Sequence, residues 1–510
     1  MTKAPNILLI MADQLAPQFT GAYGHPLVKT PHMSALAAQG ARFDAAYCNA
    51  PLCAPSRFSF MAGQLVTRIA AYDNASEFPS SIPTFAHYLR MMGYRTSLSG
   101  KMHFVGPDQL HGFEERITTD VYPSDYAWTP DWELPDERID KWYHNMDSVR
   151  EAGMGMATFQ LDYDEEVAFA AKRRIFDYAR NDDTPFCMVA SFIHPHDPYV
   201  ARPEWWNLYK SDEIDMPTHV LNRDQQDPFS QRLMDGIEAS VVEVTDDEVR
   251  NARHAYYANT SYFDSKVGEL VQTLEEAELR DDTIVIVTAD HGDMLGERGL
   301  WYKMNFFEHS ARVPLIMAGP GIEQSEVGNA CSLVDILPTV IEIAGQDGRE
   351  TPTLGQPVDG RSLYPLASGG EDDVDEAIGE YCAEMTGNPV FMIRRGNYKY
   401  ITCEGDPHML FDLENDPDEL HNLAEDEAHG NVARAFREEA KERWDSASIR
   451  SDVIATQKQR RAIYDAMENG TLTSWDYNPP RDAAQEYVRN HMDWTVAAEK
   501  TRFPPLKQSE

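Results

Sequence analysis

Short apolar segments alternate with helical segments over the first two thirds of the chain. The first apolar run, residues 6–11, ends in a polar cluster, as expected for a strand that is buried on both faces and carries chemistry at its carboxyl end. Two helices, at 31–39 and 83–92, are indicated by a proline at their start and a glycine just after their end. The predicted helices are 31–39, 83–92, 165–180, 247–279 and 335–344, and the predicted strands are 42–47, 94–98, 186–192, 283–288 and 314–318. This alternation predicts an α/β fold with a mostly parallel central sheet flanked by helices.

Beyond residue 370 the pattern changes. Glycine and acidic residues are frequent at 370–376, and strand signals then follow closely, with Gly396-Asn397 as a tight hairpin turn. The strands are predicted at 377–383, 390–394, 398–402 and 410–413, and a helix at 432–444. We therefore expect a catalytic domain over 1–370, a smaller C-terminal α+β domain over 371–474, and an extended arm with one short helix over 475–510.

Charge excludes several classes of partner. The chain has 510 residues, with 45 Lys and Arg against 84 Asp and Glu, so its formal net charge is −39. Such a field repels nucleic acids and anionic membrane surfaces. No apolar run is long enough for a membrane helix, and the six cysteines are not spaced as zinc ligands or as a disulfide framework. These features predict a cytoplasmic protein that binds neither membrane nor nucleic acid.

Two motifs carry chemical information. Residues 52–57, Leu-Cys-Ala-Pro-Ser-Arg, match the C-x-P-S-R pattern in which sulfatases have a cysteine oxidised to formylglycine. On its own the pattern also fits a small buried thiol before a helix that begins with proline. The second motif, residues 93–103, has the form G-Y-x-T-x-x-x-G-K-x-H of a second sulfatase signature. Together they resemble the sulfatase family of the alkaline phosphatase superfamily.

The resemblance covers nearly the whole chain, including Asn-Ile-Leu-Leu-Ile-Met-Ala-Asp-Gln at 6–14 and Thr-Ala-Asp-His-Gly-Asp at 288–293. Segments 128–132, 142–146, 392–396 and 489–493 are similar to those of the choline-sulfatase branch. This resemblance implies an alkaline-phosphatase-like sandwich fold and the hydrolysis of choline-O-sulfate. The alternative is an arylsulfatase, or a phosphonate monoester or phosphodiester hydrolase. Ala62-Gly63 stands where typical sulfatases have Thr-Gly, which puts the oxidation of Cys53 in question.

A metal site is predicted where two strands end. Asp13, Gln14, Asp290 and His291 offer mostly oxygen ligands, which favours Ca²⁺, while the imidazole admits Mn²⁺ or Mg²⁺. The alternative is that residues 290–293 are only a polar turn after a strand. The resemblance adds residue 53, as formylglycine hydrate, to the ligands of the cation, which would lower the pKa of the attacking hydroxyl.

Further roles follow from the resemblance to sulfatases. It implies that Arg57 holds the formylglycine hydrate and that Lys101 and Lys303 bind the sulfate oxygens. His103 would take the proton of the second hydroxyl, so that the hydrate collapses to the aldehyde and releases sulfate.

A histidine pair follows the strand predicted at 186–192. An alkyl alcohol is a poor leaving group, so an acid that protonates it is needed. We expect His196 to be that acid. His194 is the alternative, or else a partner of the metal or the sulfate.

Recognition beyond the sulfate must suit a quaternary ammonium group, which has charge but no hydrogen-bond donor and is bound by aromatic faces and carboxylates. Glu380 competes with Glu384, because both are predicted on one strand. Trp132 and Trp142 fit a core or a lid as well as a pocket. By resemblance to choline-sulfatases, the pocket residues are Trp128, His144, Asn145, Glu384 and Asp493.

The arm is too apolar for a free tail and too rich in proline to fold alone. We expect it to dock across a subunit boundary of a homo-oligomer, a dimer or tetramer, and to bring His491, Met492 and Asp493 on its helix to the pocket. The alternative is that it packs only on its own chain. The motif at 52–57 also implies that formylglycine-generating machinery is a partner during maturation.

Overall fold

A computed structural model describes residues 4–135, 137–138, 143–181 and 184–505. Its strands are β1 (Asn6–Asp13), β2 (Ala41–Phe43), β3 (Ala46–Tyr47), β4 (Arg95–Gly100), β5 (Glu115–Arg116), β6 (Gly153–Met154), β7 (Phe186–Pro195), β8 (Val200–Ala201), β9 (Thr283–Ala289), β10 (Leu315–Ala318), β11 (Ser325–Val327), β12 (Cys331–Ser332), β13 (Glu376–Tyr381), β14 (Val390–Arg395), β15 (Tyr398–Cys403) and β16 (Met409–Asp412). Its α-helices are α1 (Pro31–Ala37), α2 (Cys53–Ala62), α3 (Val66–Ile69), α4 (Phe85–Met91), α5 (Asp147–Arg150), α6 (Phe159–Asn181), α7 (Pro203–Trp206), α8 (Pro228–Gly236), α9 (Asp246–Glu276), α10 (Glu308–Ala311), α11 (Ile336–Ala344), α12 (Tyr364–Ala367), α13 (Gly430–Arg443), α14 (Ser446–Glu468) and α15 (Trp494–Thr501).

The central sheet has eight strands in the order β11-β2-β10-β9-β1-β7-β4-β5. Strand β10 runs antiparallel to both of its neighbours, and the other pairs are parallel. Every residue of β1, β7 and β9 is buried, because helices, among them α6 and α9, cover the sheet. The predicted α/β class and mostly parallel sheet are confirmed.

A second sheet of four antiparallel strands, β13 to β16, forms the smaller α+β part. The predicted hairpin joins β14 to β15, and Gly396 takes a φ of +55° there. Helix α13 covers this sheet and stacks Phe436 on Tyr400 with 5.7 Å between ring centroids. The domain limits at 370 and 474 stay predictions.

Three local expectations were wrong. The strand predicted at 42–47 divides into β2, which pairs with β10 and β11, and β3, which pairs with β12, because the chain turns between them at residues 44–45. Glu384 does not share a strand with Glu380, because β13 ends at Tyr381. The helix of the arm begins only at Trp494, after the three residues it was expected to carry, and Asp493 caps it.

The arm lies against its own chain at several points. Trp475 packs edge-on against Tyr126 with 5.2 Å between ring centroids, and Ser124 donates hydrogen bonds to Asp476. Farther along, Phe503 lies 5.8 Å from Phe176 of α6. Among the described residues, no helix is both long and apolar enough to cross a bilayer. Association with a second copy stays a prediction.

Candidate active site

The carboxyl ends of β1 and β9 form the centre of the site. The two strands are parallel neighbours, so Asp13 and Asp290 leave the sheet side by side. Cys53 begins α2, and its Sγ lies 3.2 Å from His291 Nε2 and 3.8 Å from Asp13 Oδ1. All four side chains are buried, and one ligand atom from each lies within 4.8 Å of the others. The structure therefore brings together four of the predicted metal-site residues.

The chemistry of this cluster fits a divalent cation. The Nδ1 of His291 contacts the carbonyl oxygen of Gly292 at 3.0 Å, and burial lowers the pKa of the imidazole to about 4. The ring is therefore neutral near pH 7, with its proton on Nδ1 and a lone pair on Nε2 that faces Cys53. This orientation is typical of metal-binding histidines. Two carboxylates and one imidazole suit Ca²⁺, Mn²⁺ or Mg²⁺.

Arg57 ties the two carboxylates together from one turn into α2. Its Nε donates to Asp290 Oδ2 at 2.8 Å and its Nη2 to Asp13 Oδ2 at 3.1 Å. Its Nη1 donates to the carbonyl of Lys101 at 2.6 Å and to Ser191 Oγ at 2.8 Å. Because each guanidinium nitrogen has an acceptor, Arg57 is fixed in orientation although it is wholly buried.

Lys101 reaches the same edge from the end of β4. Gly100 has a φ of +106°, and a Cβ there would lie 1.9 Å from the carbonyl oxygen of Ser191, so only glycine fits. The ammonium of Lys101 contacts Asp13 and lies 4.3 Å from the ring centre of Tyr122. Burial alone would raise the pKa of Asp13, but the ammonium of Lys101 and other cations hold it well below its ordinary value. Asp13 is therefore ionised at neutral pH.

Lys303, Gln14 and His196 form a hydrogen-bonded group beside the cluster. The Nζ of Lys303 donates to Gln14 Oε1 at 2.6 Å and contacts His196 Nε2 at 2.9 Å. The Nδ1 of His196 contacts the carbonyl oxygen of Asp197 at 2.6 Å, which places the proton of the neutral ring on Nδ1. Burial and the charge of Lys303 lower the pKa of His196 well below its usual value. The amide oxygen of Gln14 is engaged by this lysine.

The two histidines after β7 take different environments. His194 lies away from the cluster, with its Nδ1 2.7 Å from Asp164 Oδ2 of α6 and its ring against Tyr262. His196 lies 4.0 Å from Asp13 Oδ1. Of the two, only His196 borders the cluster in the described structure.

His103 is buried beside two aromatic side chains, Tyr122 and Trp128. Neither ring nitrogen has a hydrogen-bond partner within the described part of the chain, and burial, reinforced by Lys101, lowers the pKa to about 3. The ring packs near Tyr122 and Trp128, at centroid distances of 5.1 and 5.8 Å. Its φ of +57° is held by Asp120, which accepts hydrogen bonds from the amides of Met102 and His103. The imidazole is therefore neutral and has a free nitrogen that can accept a proton, and its lowered pKa makes it a weak base.

Three of the predicted pocket residues, Trp128, His144 and Asn145, lie near aromatic side chains of the site. Trp128 and Tyr122 are 5.1 Å apart, and His144 stacks on Tyr302 at 4.4 Å and lies 3.4 Å from Asp197. The Oδ1 of Asn145 accepts a hydrogen bond from the amide of Asp147, the first residue of α5, at 2.8 Å. The carbonyl oxygen of Asn145 accepts a hydrogen bond from Tyr302 Oη, which lies against His144.

Glu380 and Glu384 differ sharply in their contacts. Glu380 accepts hydrogen bonds from the amide and hydroxyl of Thr67 and from Trp444 Nε1. The Oε2 of Glu384 is buried without a hydrogen-bond partner among the described residues. Burial raises its pKa to about 7, Asp73 adds to the rise, and Lys303 opposes it. Glu384 is therefore the carboxylate with unused bonding capacity.

Two residues from the sequence analysis lie elsewhere in the described structure. Asp493 is exposed and accepts hydrogen bonds from the amides of Thr495 and Val496, so it caps α15 rather than lining the pocket of its own chain. Trp132 is buried and donates to the carbonyl of Ala383 at 2.7 Å. Trp142 falls outside the described residues.

Two carboxylates near the site were not singled out from the sequence. Asp293 accepts hydrogen bonds from Gln14 Nε2 at 2.7 Å and from Tyr199 Oη at 2.8 Å, and burial raises its pKa to about 6. Asp197 accepts from Gln14 Nε2 at 3.3 Å and from Ser148 Oγ at 3.0 Å. Asp293 is two residues after His291, and Asp197 is one residue after His196. This closeness in sequence to predicted site residues could have identified both from the sequence.

Comparison with known protein families gives three matches. The model described as Sulfatase matches residues 5–346. The model described as N-sulphoglucosamine sulphohydrolase, C-terminal, matches 296–445. The model described as Choline sulfatase enzyme C terminal matches 451–503, which spans most of α14 and of the arm.

Individual proteins agree with these matches. The chain is 48% identical over 512 residues to choline-sulfatase of Rhizobium meliloti (strain 1021), covering 99% of both chains. It is 29% identical over 447 residues to arylsulfatase K of Homo sapiens, covering 83% of this chain and 79% of that one. Phosphonate monoester hydrolase of Agrobacterium radiobacter shares the fold, with a TM-score of 0.70 and 24% identity over 88% of this chain and 96% of the other. The chain therefore belongs to the sulfatase family, within the alkaline phosphatase superfamily, and is a sulfuric ester hydrolase.

Proposed function

We propose that this sulfatase hydrolyses choline-O-sulfate to choline and sulfate. The observation that carries the proposal is the buried Glu384 carboxylate, whose Oε2 is without a hydrogen-bond partner in the described chain. A quaternary ammonium offers charge and no N–H, so it suits such a carboxylate better than a hydrogen-bonding group does. Lys303 lowers the pKa of Glu384, which supports a position of Glu384 close to the end of the site where sulfate is proposed to bind.

Aromatic side chains lie beside Glu384 and beside His103. Tyr143 is close enough to Glu384 for the carboxylate to raise the pKa of the phenol, and Trp128 and Tyr122 pack against each other near His103. Aromatic faces attract a trimethylammonium group through cation–π interaction. The 48% identity to choline-sulfatase and the choline sulfatase C-terminal match support the same substrate.

Asp13, Asp290, His291 and residue 53 are proposed to hold one divalent cation, with Ca²⁺ as the first choice. Gln14 is proposed as a neighbouring ligand through the second lone pair of its amide oxygen, which also accepts a hydrogen bond from Lys303. Bound there, the cation would supply Lewis acidity that favours an ionised oxygen nucleophile. The fit rests on the buried carboxylate pair and on the Nε2 lone pair of His291.

Residue 53 is proposed to act as formylglycine, whose hydrate offers one hydroxyl as nucleophile and a second from which the aldehyde is restored. The unmodified thiol is a poor nucleophile, because burial raises its pKa to about 12. Arg57 would orient the hydrate, and His103, neutral and unpaired, would accept the proton of the second hydroxyl.

Lys101 and Lys303 are proposed to bind the sulfate oxygens, where negative charge grows during transfer. His196 is proposed to relay the proton that the departing choline oxygen needs. Its neutral Nε2 lies 2.9 Å from Lys303 Nζ, so the Lys303 ammonium would supply the proton, His196 would pass it to the leaving oxygen, and Lys303 would be left as a neutral amine.

Steady-state kinetics on three substrates test the proposal: choline-O-sulfate, an aryl sulfate without a cationic group, and a phosphonate monoester. We expect the highest kcat/KM on choline-O-sulfate. A higher kcat/KM on the aryl sulfate would favour an arylsulfatase, and a higher value on the phosphonate monoester a phosphonate monoester hydrolase. Either result would overturn the choline assignment.

A further inference from the structure

We propose that Arg460 of α14 is a positioning residue that clamps two loops at the choline end of the site, residues 72–76 and residues 126–133, and thereby sets selectivity for choline-O-sulfate. The proposal rests on the proposed function. It assigns a role to α14, a helix that supplies none of the predicted catalytic residues.

The clamp is a buried ion pair. The Nη1 and Nη2 of Arg460 donate to Asp73 Oδ1 at 2.6 Å and to Asp73 Oδ2 at 2.7 Å. The same Nη1 donates to Thr129 Oγ1 at 3.3 Å. Arg460 is 6% exposed and Asp73 is fully buried. A single guanidinium therefore holds a residue of each loop in fixed geometry.

The loop 72–76 leads to the start of α2. Asn74 Oδ1 accepts a hydrogen bond from the amide of Ala54 at 3.0 Å, one residue beyond Cys53. Within the loop, Ser76 Oγ accepts from the amides of Tyr72 and Asp73. This loop therefore has a second anchor at α2, which the loss of the Arg460 pair leaves in place.

The loop 126–133 carries Trp128, which is adjacent to the clamped Thr129. Farther along this loop, the amide of Trp132 donates to Gln457 Oε1 of α14 at 2.9 Å. The indole of Trp132 donates to the carbonyl of Ala383, the residue before Glu384. Helix α14 therefore bonds the residue after Trp128 directly, and through Trp132 it is linked to the residue before Glu384.

Charge explains why a cation is needed at this position, and the bidentate geometry explains why it is an arginine. Asp73 is a buried carboxylate close enough to Glu384 to raise the pKa of Glu384. The bidentate pair sets a positive charge against Asp73, and without any cation there Asp73 should favour the protonated form of Glu384 more strongly.

The test compares Arg460→Lys with the matched control Lys458→Met. Lys458 is on the same helix and pairs with Glu133 at 2.9 Å, but both side chains are about half exposed. Loss of this pair should therefore leave kcat and KM unchanged for both substrates. Arg460→Lys keeps the charge and loses the bidentate geometry. We expect it to raise KM for choline-O-sulfate by about tenfold. The kcat for choline-O-sulfate, and the KM for an aryl sulfate without a cationic group, should stay within about threefold of the parent values.

The double variant Asp73→Asn/Arg460→Met guards against misfolding, because it removes both buried charges together. We expect it to keep the near-ultraviolet circular dichroism of the parent and to bind choline chloride at least about tenfold more weakly in calorimetry. Unchanged KM in Arg460→Lys, or equal losses on both substrates, would overturn the clamp alone. A parent enzyme that does not prefer choline-O-sulfate would overturn the clamp and the proposed function together.

Discussion

The ammonium of Lys399 donates a hydrogen bond of 2.9 Å to the carbonyl oxygen of Phe306, which lies 93 residues earlier in the chain. Lys399 is on β15 of the small sheet and is fully buried, with carboxylates of Glu308 and Glu419 at 2.6 and 2.8 Å. Lys303 lies three residues before Phe306, between two residues with φ of +64° and +75°. Positive φ outside glycine costs on the order of 1–3 kcal/mol and needs support from the surroundings. The small sheet supplies part of that support.

We expect Lys399→Met to destabilise the protein and to lower kcat. Glu419 would lose its cation, which costs about 3–5 kcal/mol, while Glu308 would keep Arg312 at 3.5 Å. The loop that carries Lys303 would also lose an anchor. Urea unfolding and steady-state kinetics measure the two effects. Arg395→Gln on the neighbouring strand is the control, because its half-exposed pairs with Glu376 and Glu439 should contribute at most about 1 kcal/mol. Equal losses in both variants would contradict this role of Lys399.

Substitution of Glu384 by glutamine should weaken recognition of choline specifically. Loss of the carboxylate removes about 1–2 kcal/mol of attraction for a quaternary ammonium, so KM for choline-O-sulfate should rise about 5- to 30-fold. An aryl sulfate without a cation should be spared. Glu380→Gln is the matched control: it perturbs a carboxylate already bonded to Thr67 and Trp444, and should lower stability without changing selectivity. If both variants shift KM alike, Glu384 is structural.

The pH dependence of KM should follow Glu384. Its pKa is raised from 4.5 to about 7 by burial, so the carboxylate becomes neutral as the pH falls through 7 and loses its attraction for choline. We expect KM for choline-O-sulfate to rise by up to about tenfold between about pH 8 and about pH 6. In Glu384→Gln this rise should vanish, and its persistence would assign it to another group.

The same shift has a consequence for stability. Between about pH 4.5 and about pH 7 the folded chain keeps a proton on Glu384 that the unfolded chain releases. The contribution of this group to the free energy of unfolding therefore falls as the pH rises through that window. Chemical unfolding at both ends of the window, in the parent and in Glu384→Gln, isolates it.

Cation binding should be visible without any assay of turnover. After chelation and dialysis, added Ca²⁺ should raise Tm, because a ligand of the folded state stabilises it by mass action. Mg²⁺ and Mn²⁺ in parallel samples identify the preferred ion. Asp290→Asn should abolish the rise, and a rise of equal size in that variant would place the cation elsewhere.

Residue 53 should be an aldehyde in active enzyme. Peptide mass spectrometry of a fully active sample should detect formylglycine in place of the Cys53 thiol, and activity should scale with the modified fraction. Cys53→Ala should have no turnover yet keep its circular dichroism, because one small buried side chain replaces another. Full activity with an unmodified thiol would contradict the mechanism.

Sequence patterns predicted most of the central sheet and which residues lie at its carboxyl edge, because burial on both faces leaves a local signature. Asp13 and Asp290 needed only the rule that parallel strands end together. The pairing of Asp73 with Arg460 spans 387 residues, and α14, with few buried residues, has no strong apolar period. Nothing local distinguishes His194 from His196 either, since the difference is made by Asp164 on another element.

The enclosure of Cys53 has a consequence for how the protein is made. Its side chain is 1% exposed and is closed in by His291, a residue 238 positions later in the sequence. Under the formylglycine mechanism proposed above, an enzyme that oxidises this thiol would have to reach it before His291 and the end of β9 close over it. Maturation would then be a competition between modification and folding. Under this scheme the rate of synthesis and the supply of the modifying enzyme set the active fraction of a preparation. A molecule that folds before Cys53 is modified would stay inactive even though its fold is intact.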